Sequence, residues 1–180
     1  LIALLISFFI GNDFEGLDGN VAVIDITGTI VTDKDANFLF EDVTSSDEIR
    51  KLIRKADKNN RIKAIIFKIN SPGGSAVASE EIANEIKKTN KTTAAWIREI
   101  GTSGAYWIAS SADHIVANRM SITGSIGVIA SYLGFSGFLE EHNVSYERLV
   151  AGSLKDMGSP FKELTPGEKA LFEKSLDAIH

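Results

Sequence analysis

Ile62-Lys63-Ala64-Ile65-Ile66-Phe67-Lys68-Ile69 runs directly into Asn70-Ser71-Pro72-Gly73-Gly74. The first stretch is apolar and rich in β-branched residues, and Ala64 to Phe67 is too continuous a run for a half-exposed strand. Pro72-Gly73-Gly74 ends it as a turn, because proline presets one φ and glycine supplies conformations other residues avoid. Ser79 to Lys88 then reads as a charged amphipathic helix, and Thr93 to Ile97 as a further strand. Strand, turn, helix and strand in that order form a βαβ unit, so the fold is expected to be α/β around a parallel sheet.

The flanking sequence extends this pattern. Val21 to Ile26 has the composition of a buried strand. Ser45-Ser46-Asp47-Glu48 has capping-box spacing, and Ile49, Leu52, Ile53 and Ala56 fall on one face of the helix it would open. Ser103 to Ala112 reads as a mostly buried helix, Ile115 to Ala117 as a short strand and Ile126 to Ile129 as another strand piece. Phe135 to His142 reads as a helix and Tyr146 to Val150 as a strand. Thr165-Pro166-Gly167-Glu168 opens a last helix with proline at its first position.

With 180 residues the chain can bury one sizeable core. A net charge of −5, with lysines scattered among acids, argues against a nucleic-acid partner. There is no cysteine, which excludes disulfides, thiolate metal sites and a cysteine nucleophile. The three histidines lack metal-ligand spacing, so neither a metal nor a cofactor is expected. Leu1 to Ile10 is almost wholly apolar but short of the roughly 20 residues that span a bilayer. The expected division is therefore a transmembrane remnant over 1–11, a linker over 12–20 and one domain over 21–180. An amphipathic pattern still runs at Leu171 to His180, so that domain is expected to continue beyond it.

The chemistry is expected at Gly101-Thr102-Ser103-Gly104-Ala105-Tyr106-Trp107. A serine between small residues at a helix mouth presents its hydroxyl, and the N–H of Gly104 beside it suits an oxyanion. Gly74 is the candidate second donor, with Gly73 allowing the turn that aims it. A plain strand-to-helix turn is the alternative reading of that loop. A Ser-His-Asp arrangement is poorly supported: His114 follows Asp113 in a strand, where neighbours point to opposite faces, and His142 and His180 read as surface residues. A lysine can replace histidine only when its amine is neutral, in an apolar setting with no carboxylate against it. Lys155 lies in Gly152-Ser153-Leu154-Lys155-Asp156-Met157-Gly158-Ser159-Pro160, unlike the lysines on acidic helical faces. Asp156 must then face away from it. Tyr106, Trp107, Ile126, Val128, Ile129, Tyr132 and Leu133 read mainly as core, with an apolar substrate groove as the alternative.

Together these segments resemble the signal peptide peptidase A family of membrane-bound serine proteases, from about Val21 to the C-terminus. The Gly101–Trp107 segment resembles the family's nucleophile segment, and Leu154-Lys155-Asp156 with Ser159-Pro160 resembles the one carrying its general-base lysine. Ser71-Pro72-Gly73-Gly74 is similar to an oxyanion-loop motif shared with ClpP-like proteases. Thr123-Gly124-Ser125-Ile126-Gly127 is similar to a segment whose serine hydrogen-bonds the lysine. The resemblance implies a ClpP/crotonase-like spiral of ββα units and a Ser103–Lys155 dyad with Ser125 orienting the lysine. It implies hydrolysis of signal-peptide remnants and other apolar peptides, a single-pass N-terminal membrane anchor, an extracytoplasmic catalytic domain and a homo-oligomeric ring. The rival readings are a membrane protease of the nodulation-efficiency type (NfeD), a crotonase-like acyl-CoA enzyme and a non-catalytic membrane scaffold.

Overall fold

The computed structural model describes residues 19–33 and 43–180. The expected membrane segment and residues 12–18 of the linker lie outside them. Among the described residues, no helix is long and apolar enough to cross a membrane. Backbone contacts divide the chain into two compact units, Leu1–Ile126 and Gly127–His180.

The first unit is a parallel sheet with helices. Its elements are β1 (Val21–Val31), β2 (Val43–Ser45), α1 (Ser46–Lys58), β3 (Ala64–Gly74), α2 (Ala76–Lys88), β4 (Thr92–Thr102), α3 (Gly104–Ser110), β5 (His114–Ala117) and β6 (Ile122–Gly124). The strand order is β2-β1-β3-β4-β5, and β6 pairs with the far end of β4. Every pairing is parallel. The βαβ reading holds: β3, α2 and β4 follow one another, and the two strands are neighbours.

The register explains the core. Ala22, Ile24 and Ile26 on β1 align with Ile65, Phe67 and Ile69 on β3, and Phe67 and Ile69 with Ala95 and Ile97 on β4. All of these are buried, together with Ile49 and Ile53 of α1, Ile82 and Ile86 of α2, and Ile108 of α3. Each such isoleucine contributes roughly 1.5–3 kcal/mol by leaving water. Residues of opposite parity face the other way. Ala64 and Ile66 are half-buried and Trp96 is exposed. The expectation that Ala64 to Phe67 would be buried on both faces is therefore corrected: the helices cover the even-parity face of β1, and the apolar run hides an alternation.

Other expectations also shift. The strands at Val21, Ile62 and Thr93 run on to Val31, Gly74 and Thr102, so Pro72-Gly73-Gly74 lies within β3's pairing rather than after it. Ser45 caps no amide: its hydroxyl donates to the Thr32 carbonyl at 3.0 Å, and the capping box at that site does not form. The strand piece expected at Ile126–Ile129 is found at Ile122–Gly124 instead.

The second unit holds α4 (Ser136–Glu141) and α5 (Pro166–Ile179) joined by loops. Here the capping box does form, with Thr165 and Glu168 bonding each other's backbone. The strand expected at Tyr146–Val150 is absent, because a strand needs a neighbour to satisfy its backbone and this unit has no strand among its described residues. Phe161 instead sets its ring 6.5 Å from Phe135 and 5.5 Å from Tyr146. No apolar side chain of this unit is fully buried. Ile126, Ile129, Tyr132 and Leu133, read as mainly core, are exposed, Ile129 by 91%; Tyr106 does pack against the core.

Candidate active site

Ser103 stands between the end of β4 and the start of α3 with φ 52° and ψ −125°. Few residues other than glycine take a positive φ, and holding one there costs on the order of 1–3 kcal/mol. The surroundings impose it. Ser103 N–H donates to the Gly124 carbonyl at 2.8 Å, and the Ser103 carbonyl accepts from Tyr106 and Trp107 N–H at 2.9 and 3.0 Å. The serine is thus fixed on a sharp strand-to-helix bend, only partly buried.

The loop at the end of β3 lies against this bend. Gly73 has φ +97°, and a Cβ there would stand 2.8 Å from Gly104 N, 2.9 Å from Ser103 Cβ and 2.9 Å from the Thr102 carbonyl. Glycine is required twice over, by conformation and by space. Gly74 is pressed against β1, where a Cβ would meet the Ile30 carbonyl at 2.1 Å. Its N lies 3.6 Å from where a Cβ on Gly104 would stand, so the two expected oxyanion donors are neighbours. Gly104 itself has no room for a Cβ, which would fall 2.2 Å from Ser79 Oγ.

The strands shift register beside this bend. β1 advances from Thr27 to Thr29 while β3 advances from Asn70 to Gly73, with Gly28 at φ 65° in the gap. Irregular pairing of this kind re-aims backbone groups near active sites. Side chains stitch the gap: Asn70 Oδ1 accepts from Glu99 and Ile100 N–H at 3.3 and 3.2 Å, and Ser71 Oγ donates to the Gly28 carbonyl at 2.6 Å. Thr102 Oγ1 donates to the Pro72 carbonyl at 3.0 Å. Reading the sequence missed Asn70, Ser71, Ser79 and Thr102 as supports. Short polar residues inside strand ends were the available signal for Asn70, Ser71 and Thr102, but their partners across the sheet are distant in sequence; Ser79 lies in α2.

Ser125 directly follows the residue that holds Ser103 N–H. It too has a positive φ, 52°, and it is exposed. Ser103, Gly104, Gly73, Gly74 and Ser125 are therefore brought together within the first unit. The histidine alternative finds no support: Asp113 accepts from Thr93 N–H and Oγ1 at 2.7 and 2.9 Å, which holds its carboxyl below the usual range and orients nothing on His114.

Lys155 belongs to the second unit, in a run of turns where its N–H donates to the Gly152 carbonyl at 3.2 Å. Its side chain is exposed and forms no ion pair among the described residues. This unit alone does not supply the apolar setting a neutral amine needs. Asp156 does not act on the lysine. Its carboxylate is gripped by both the Nε and the NH2 of Arg148, with Lys162 Nζ at 3.9 Å. Arg148 first, and then Lys162, hold that carboxyl down at about 2. Lys162 also bonds Glu168, so the loop carrying Lys155 is tied to the start of α5. A cavity of about 580 Å³ lies here, lined by Arg148, Leu154, Lys162 and Leu171 among others. It contains none of the predicted site residues, and its cations are already paired.

A serine on a strained strand-to-helix bend, faced by a glycine loop in a parallel α/β sheet, is the arrangement that a nucleophile elbow requires. The profile of peptidase family S49 matches residues 85–180, and the chain belongs to that family. Protease 4 of Haemophilus influenzae is 32% identical over 160 residues, 87% of this chain and 25% of the relative. The chloroplastic serine protease SPPA of Arabidopsis thaliana is 33% identical over 133 residues, 72% of this chain and 20% of the relative. The chain thus spans a quarter or less of the length of these curated relatives. Among solved structures, the 1510-N membrane-bound stomatin-specific protease with a substrate peptide superposes with TM-score 0.53 at 22% identity, covering 65% of this chain and 49% of that one. The parallel α/β sheet expected from the sequence is the observed one, and its fold is shared with that protease.

Proposed function

We propose that this chain carries the catalytic residues of a membrane-associated serine endopeptidase that cuts apolar peptides, including signal-peptide remnants. The observation that carries the reading is the strained backbone of Ser103 with Gly73 packed against Ser103 and Gly104. Neutral Lys155 takes the Ser103 proton, and the serine oxygen attacks the peptide carbonyl. The carbonyl oxygen, now negative, sits between the N–H groups of Gly74 and Gly104. Lys155 then protonates the leaving amine, Ser125 holds the lysine between steps, and water releases the acyl group.

The exposed lysine acquires its apolar surroundings from bound substrate or a neighbouring protomer. The bare apolar surface of the second unit, with Leu149 exposed by 95% and Leu133 by 74%, supports assembly into a ring. The apolar segment over 1–11 belongs to a single-pass anchor, with residues 12–20 as linker and 21–180 as an extracytoplasmic catalytic domain. No metal or cofactor takes part in this scheme.

The test is hydrolysis of an apolar peptide followed by mass spectrometry. Ser103→Ala and Lys155→Ala should each lose activity by about 10³-fold or more while remaining folded. Co-assembled, the two inactive proteins regain activity if the dyad forms between chains. Turnover by Lys155→Ala near that of the wild type would refute the dyad.

A further inference from the structure

The peptide bond between Pro72 and Gly73 is held at both ends by side-chain hydroxyls. Its carbonyl accepts from Thr102 Oγ1 at 3.0 Å, and its N–H donates to Ser71 Oγ at 3.1 Å. Ser71 is fully buried and its own proton is committed to the Gly28 carbonyl at 2.6 Å, so its oxygen is free only to accept. Thr102 is buried and immediately precedes Ser103. One hydroxyl therefore ties this peptide plane to β1, and the other ties it to the strand that ends in Ser103.

The peptide plane between a proline and a glycine can flip with little change in the path of the chain, because glycine takes φ of either sign. In one orientation the glycine has positive φ; in the other its φ is negative. Gly73 is at +97°. A flip would turn the Pro72 carbonyl away from Thr102 and the Gly73 N–H away from Ser71, leaving the buried Thr102 hydroxyl and the buried Gly73 N–H without these partners, which is the costly outcome for hydrogen bonds. It would also rotate the chain that leads into Gly74. We infer that Thr102 and Ser71 are positioning residues: their hydroxyls lock the Pro72–Gly73 peptide in one orientation and so aim the oxyanion donors at the carbonyl attacked by Ser103. This rests on the proteolytic reading of the site. Neither hydroxyl touches substrate in this scheme.

Thr102→Val keeps the shape and removes the hydroxyl; Thr102→Ser restores it. The full chain is assayed on an apolar peptide ester for kcat and KM. Backbone amide exchange of Gly73 is followed by NMR as a readout independent of activity. For Thr102→Val we expect kcat to fall about 10–100-fold with KM within a factor of about two, since a small misplacement at a reacting centre is felt in rate rather than binding. The Gly73 amide should exchange at least about 10-fold faster as the plane is freed. Thr102→Ser should recover most of both. An unchanged kcat, a KM that rises in step with the loss, or a serine variant as slow as the valine one overturns the inference. If wild type and Ser103→Ala are equally inactive, the proteolytic reading fails, and the amide exchange alone decides the lock: unchanged exchange in Thr102→Val overturns it.

Discussion

Gly104→Ala is the most direct test of how tightly the elbow is built. The backbone of Gly104 is helical, so alanine is conformationally acceptable and gains up to ~1 kcal/mol of helix propensity over glycine. Space opposes it. The new Cβ would stand 2.2 Å from Ser79 Oγ and 3.0 Å from Ser79 Cβ. Ser79 cannot swing aside, because it is fully buried and its hydroxyl donates to the Ser75 carbonyl at 2.8 Å. Overpacking of this kind costs ~1–3 kcal/mol, so the net loss should be about 1–2 kcal/mol. For a chain of this size that lowers Tm by roughly 2–8 °C. Ser79→Ala alone forfeits one hydrogen bond, about 0.5–1 kcal/mol, since the Ser75 carbonyl still accepts from Ser79 N–H at 3.0 Å. The double variant relieves the closer contact and should be more stable than the sum of the two losses predicts by about 1 kcal/mol. Urea unfolding of the four proteins measures this. Losses that add to within ~0.3 kcal/mol would show that Gly104 and Ser79 do not press on each other, and the account of the elbow would be wrong.

Gly73→Ala meets both a positive φ and three contacts under 3 Å at the Ser103–Gly104 bend. Labelling of Ser103 by a fluorophosphonate should slow by about 100-fold with circular dichroism unchanged, and a rate within ~3-fold of wild type would contradict the packing described. Asp156 should titrate at about 2, and Arg148→Ala should return it toward the usual carboxylate range of about 3.8, as followed by carboxyl NMR shifts. Because the folded value lies below the unfolded one, the stabilisation from this pair is complete above pH 3.8 and fades as pH falls through 2. An Asp156 titration that ignores Arg148→Ala would rule out the pairing.

What was legible in the sequence, and what was not, follows from how far away each residue's partner lies. Two stretches share the capping-box spacing. Thr165 with Glu168 forms the box, because nothing competes for the threonine hydroxyl beyond its own helix. Ser45 does not: its hydroxyl is turned to donate to the Thr32 carbonyl just past the neighbouring strand, and no helix amide reaches its oxygen. The same contrast runs through the sheet. β3 and β4 were visible from composition, but β6 lies at Ile122–Gly124 because its ladder is written by Ile100–Thr102, a pairing no local pattern encodes. Tyr146–Val150 has strand composition and no strand to pair with among the described residues of its unit. At the site, the bend at Ser103–Gly104 and the glycine loop facing it were readable because a tight turn and a close backbone approach call for small residues at the bend itself. Asn70, Ser71 and Thr102 hold that bend through partners on other elements, with sequence separations of 29 and 30 for Asn70, 43 for Ser71 and 30 for Thr102, while Ser79, bonded to Ser75 at the start of its own helix, meets the bend only by packing against Gly104. Chemistry that acts where it stands can be read from a single segment. Groups that aim it act across strands, and only the assembled sheet reveals them.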